Sequence, residues 1–119
     1  MAALDVNQLF TDITTAATAV VNQDIATVQG FSERQVQAIS QQAALVSSGI
    51  VSGQITDATR EFFLDSLEHM IQNFLATLRG LLTIALEKLW NAVVGVVWNA
   101  INGAISAATG LVLPVPVKA

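Results

Sequence analysis

Apolar residues recur at steps of three and four from Val6 almost to the end of the chain, and no proline occurs before Pro114. That spacing stacks them along one side of an α-helix, whereas a strand would alternate them. The pattern predicts an all-α protein. A first helix starts at Asp5, whose carboxylate can cap the opening amides, with Gln8 as its reciprocal partner and Leu4 and Leu9 spaced as a hydrophobic staple. Val6, Leu9, Phe10, Ile13, Ala17, Val20 and Val21 form its stripe, and Gly30 is its natural stop.

A second helix opens with "FSERQV", in which Ser32 caps, Gln35 closes the box and Phe31 staples onto Val36. Its seam is Val36, Ile39, Ala43, Val46 and Ile50, with Ala43 and Gly53 allowing close approach. The opposite side, Gln37, Gln41, Ser48 and Ser52, is polar without being charged. A third helix begins at Thr56 or Asp57. Its seam runs Leu67, Ile71, Phe74, Leu78, Leu81, Ala85, Leu89, Ala92 and Val96 without a phase slip at Gly80, to about Ala108. Gly110, Pro114 and Pro116 then end it in an extended tail.

The expected architecture is therefore an antiparallel helical bundle of three long helices, residues 1–80, with the third extended into an apolar C-terminal helix over 81–110 and a tail over 111–119. At 1.5 Å per residue, the segment after Gly80 adds roughly 40 Å, far beyond a bundle whose radius of gyration is about 13–14 Å. An unbroken third helix would project with nothing of its own to pack on. A fold-back at Gly80 or Gly95 would instead make it a fourth helix of a compact bundle.

Composition sharpens that problem. Apolar residues make up 53% of the chain and charged residues 12%, against about 25% charged in ordinary globular proteins. A small body with few charges to cover its surface is expected to bury apolar area against lipid or against copies of itself. The expected interface is Leu89, Trp90, Val93, Val97, Ala100, Ile101, Ala104 and Ala108. Asn91, Asn99, Asn102 and Ser106 form a polar stripe beside it, suited to a lumen, to water or to fixing register between helices. No ionisable side chain lies between Lys88 and Lys118, a stretch longer than the ~20 residues that span a bilayer.

With five basic against nine acidic side chains, the chain lacks the cationic footprint that phosphates require, and nucleic acid is not an expected partner. Cysteine is absent, so disulfides and thiolate metal sites are excluded. "MAALDVNQLFTD" has neither a basic nor an apolar leader segment, and no secretory signal peptide is expected. Glu61, Asp65 and His69 share a helix face, but paired Glu-x-x-His motifs are missing and the face is expected to be solvated. No nucleophile has a base and an orienting group in a recognisable pattern. The chain is expected to be neither an enzyme nor a holder of metal or cofactor.

"VNQLFTD", from Val6 to Asp12, resembles the start of R-body (refractile ribbon) subunits. "WNAVVGVVWNAINGAIS", from Trp90 to Ser106, resembles the Trp-Asn-rich helical stretches of phage tape-measure proteins. Both resemblances imply low-charge helical proteins that build large particles. From the apolar segment that the bundle cannot shelter, two functions are expected. One is a self-assembling protein whose C-terminal helix associates with or inserts into a membrane as a channel-like bundle. The other is a soluble structural subunit of a homo-oligomeric particle, filament, ribbon or virion-associated assembly. The chain is thus expected at a membrane or inside a large assembly.

Overall fold

The computed structural model describes residues 4–21, 33–81 and 86–116. Among these the chain forms α1 (Val6–Val21), α2 (Glu33–Ser52), α3 (Asp57–Leu81) and α4 (Leu86–Thr109), with no strand. The four helices pack against one another, and α4 touches all three of the others.

Local chemistry sets several of the ends. The Gln8 amide donates to Asp5 Oδ1 at 3.1 Å, which is the expected cap. Gln8 does not reciprocate, because its own side chain donates to Asp12 Oδ1 at 2.9 Å. At the start of α3 the cap is reversed: Thr59 Oγ1 accepts from the Thr56 amide at 3.0 Å. Gly53 closes α2 with φ +82° and stands exposed, so it stops the helix and brings nothing close. Close approach falls instead at buried Gly49, where a Cβ would lie 2.6 Å from Ile55 Cδ1. The expected Gly30 stop and the Ser32 box lie outside the described residues.

The seams of the first three helices are buried largely as the spacing predicts. Leu9, Ile13 and Ala17 of α1, the five α2 positions from Val36 to Ile50, and Leu67, Ile71 and Phe74 of α3 all line one core. Ser40 and Ser47 widen the buried arc of α2. Their hydroxyls donate to the carbonyls of Val36 and Ala43, both at 2.9 Å, so each enters the core already satisfied.

The continuous third helix is corrected. Helix α3 ends at Leu81 and α4 begins at Leu86, then continues unbroken through Gly95. The projecting rod is therefore absent and the C-terminal helix is the folded-back fourth. Leu89, Trp90, Val93, Val94, Val97, Trp98, Ile101, Ala104 and Ile105 are all buried. They cover two adjacent sides of α4, as a helix with three neighbours requires. Each large apolar side chain sheltered contributes about 1.5–3 kcal/mol. The radius of gyration is 14.1 Å. The accessible surface, 6580 Å², is close to the roughly 6200 Å² of a compact monomer of this mass.

Candidate functional site

Beyond Thr109 the chain leaves helical geometry at Gly110, whose φ is +71° and whose amide donates to the Ser106 carbonyl at 2.8 Å. This left-handed stop suits a glycine and reverses the chain direction. Thr109 Oγ1 accepts the next amide, that of Leu111, at 3.1 Å. The tail then runs back along α4 in the opposite sense, because Leu113 lies beside Asn102 and Pro116 beside Trp90.

Two side chains hold it. Asn102 Nδ2 donates to the Leu113 carbonyl at 3.0 Å, and the Leu113 amide donates to Asn102 Oδ1 at 2.7 Å. Trp90 Nε1 donates to the Pro116 carbonyl at 2.6 Å. All three bonds address main-chain atoms, so the clasp recognises an extended peptide backbone. Side-chain selectivity comes from Leu113, which is buried with the core. Pro114 and Pro116 suit this use, since each fixes φ and neither presents an N–H that the clasp would have to satisfy.

Between the tail, α3 and α4 lies a cleft of about 290 Å³, lined by Arg60, Glu61, Leu64, Glu68, Trp98 and residues 111–116. Arg60 Nη1 donates to Asp57 Oδ1 at 2.7 Å, an i,i+3 pair whose carboxylate is almost fully exposed. Arg60 Nε is buried and has no hydrogen-bond partner among the described residues. Two carboxylates against one guanidinium do not favour an anion. The cleft is apolar along its floor, where Trp98 and Leu64 are buried.

The expected interface residues separate by location. Leu89, Trp90, Val93, Val97, Ile101 and Ala104 sit in the chain's own core, Ala100 is half-buried and Ala108 is exposed. Of the expected polar stripe, Asn102 clasps the tail, Asn91 and Ser106 are half-buried and Asn99 is exposed. Glu61, Asp65 and His69 are exposed, and no three His, Cys, Asp or Glu side chains are grouped to hold a metal among the described residues. Sequence reasoning missed the clasp. Its signal was available: an asparagine on an apolar helix, followed by a glycine stop and a proline-spaced tail.

Among the described residues no helix is long and apolar enough to cross a membrane. Compared with protein-family models, with curated proteins and with solved structures, the chain matches none of them.

Proposed function

We propose that this chain is a non-enzymatic building block that associates with copies of itself, through the outer face of α2, into a homo-oligomeric particle, filament or ribbon. One observation carries the proposal. No ionisable side chain occurs between Arg34 and Asp57, yet Gln37, Gln41, Leu45, Ser48 and Ser52 are all exposed along one stripe of α2.

That stripe is roughly 22 Å long at the helical rise, with Leu45 standing 66% exposed near its middle. A helix face turned to water ordinarily carries charges of both signs. A face without charge selects neither an acidic nor a basic partner, and two identical copies meet without like-charge repulsion. Beside the stripe, a groove between α1 and α2 of about 450 Å³ is lined by Phe10, Gln37 and Gln41, among others. Glu33 is its single charged member. Within the unit the helices run as antiparallel neighbours, a topology that the short 53–56 connection supports.

Light scattering tests this directly. The wild-type chain is expected above its single-chain mass of 12.6 kDa, and a Gln41→Glu/Leu45→Glu variant at that mass with its helical signal intact. A wild-type chain that stays single at high concentration, or a variant whose assembly is unchanged, rejects the proposal.

A second reading has one observation in its favour, the absence of ionisable side chains from Leu89 to Val117. In it α4 and the tail lie on a lipid surface after opening from the bundle. Co-sedimentation with neutral vesicles, compared with buffer alone, tests it.

A further inference from the structure

We propose that the tail over residues 110–116 is exchanged between copies, the Asn102–Trp90 clasp of one chain receiving the same segment of a second chain. The inference rests on the reading that copies of this chain associate, and names a second contact by which they do so.

The clasp requires only what the segment itself carries. It bonds the amide and carbonyl of Leu113 and the carbonyl of Pro116, and it shelters one side chain, Leu113. A tail arriving from another chain meets identical contacts, so exchange neither creates nor destroys binding energy at the clasp. What changes is the connection. Gly110 is exposed, and nothing lies within 4 Å of where its Cβ would be. Rotation there redirects the tail at the loss of the Leu111–Thr109 bond and leaves the rest of α4 in place. Leu113 to Pro116 are held in the receiving clasp, so residues 110–112 make the bridge. Three extended residues reach about 10 Å, enough between chains that abut at the strap's turn.

Pro114 and Pro116 keep a released tail close to its docked shape, which lowers the ordering cost of docking again. Val112 stands 68% exposed on the outer side of the cleft. Two chains trading tails bring their clefts together, and that contact covers it. In a dilute chain the tail's own clasp sees it at a millimolar effective concentration and stays closed. Exchange therefore belongs to the crowded conditions of an assembly.

The test uses two full-length variants, each also carrying Leu45→Glu so that the α2 face takes no part. One has Asn102→Ala and an intact tail; the other has Leu113→Asp and an intact clasp. Neither can close its own strap. At millimolar chain concentration, which matches that effective concentration, each alone is expected at single-chain mass and the equimolar mixture at twice that mass, with tryptophan emission shifted to the blue of the average of the two. A mixture that remains at single-chain mass, with both variants helical by circular dichroism, overturns the proposal. If Leu113→Asp loses its helical signal, Leu113→Pro, which removes the amide that Asn102 accepts, takes its place with the same two outcomes. Failure of the α2 reading shows separately, as an unchanged mass when Leu45→Glu is placed in the otherwise wild-type chain.

Discussion

Asn102 and Leu113 are joined by a reciprocal pair of hydrogen bonds, side-chain amide to main-chain peptide, at 2.7 and 3.0 Å. Asn102 lies in the middle of the most apolar stretch of the chain, and Leu113 lies in a tail with no regular secondary structure. The bond pair thus explains why a polar residue stands in α4. It also satisfies the peptide amide and carbonyl of Leu113, the one tail residue buried with the core.

Replacing Asn102 by leucine keeps the size and removes both bonds. The peptide groups of Leu113 then lose their partners, at a cost of about 1–3 kcal/mol. The expected result is local release of the strap with the four helices retained. Both tryptophans of the chain touch the tail or its cleft, so emission is expected to move to the red while circular dichroism holds. A variant with wild-type emission would show that the clasp does not hold the tail.

Substitutions on the inward side of α4 distinguish a core from a seam between chains. Ile101 is fully buried within the single chain, and Ile101→Ala is expected to cost about 2–5 kcal/mol. The loss appears as a lower urea midpoint that does not depend on protein concentration. A charge at Val97, as Val97→Asp, is expected to unfold the chain, because an unpaired carboxylate cannot be desolvated cheaply. A well-folded Val97→Asp chain that had merely lost assembly would place this side of α4 between subunits.

Gly49 and Ile55 are expected to be coupled. A Cβ at Gly49 would meet Ile55 Cδ1 at 2.6 Å and Cγ1 at 2.7 Å, so the isoleucine must turn about its first torsion. Overpacking of this kind costs about 1–3 kcal/mol, against a gain of about 0.5–1 kcal/mol from alanine in a helix. Gly49→Ala is expected to destabilise the wild-type chain and to be neutral or stabilising in an Ile55→Ala background. A double-mutant cycle by chemical denaturation measures the difference.

Gly110→Ala isolates the backbone contribution at the strap's turn. Its φ is +71° and the space around it is open, so the cost is conformational, about 1–2 kcal/mol. The strap's protection from amide exchange at Leu113 is expected to fall while that of α1 to α3 is unchanged. Equal loss across all four helices would mean that the tail and the bundle unfold together.

The hydrophobic period alone determined that the chain is helical, and it selected Leu9, Ile13, Val36, Ile39, Val46, Leu67, Ile71 and Phe74 for the core. Periodicity is a local property, and these choices need only that each helix have one inner face. Asp5 as a cap and Gly110 as a stop were equally legible, since both act within a turn of their own position. The end of α3 was legible only as an alternative. Gly80, one residue before the observed end, offers a place to stop, but the heptad phase runs on unaltered through Leu81 and Ala85 and argues for continuity.

Only tertiary structure decided what covers α4. Leu89, Val93, Val97 and Ile101 are apolar whether lipid, a second chain or the same chain shelters them, so their identity cannot name the cover. The partner is chosen by where the chain turns and by how many helices can reach that face at once. The same holds for Asn102. An asparagine offers one donor and one acceptor side in any environment, and it was the tail's return path that brought Leu113 to both.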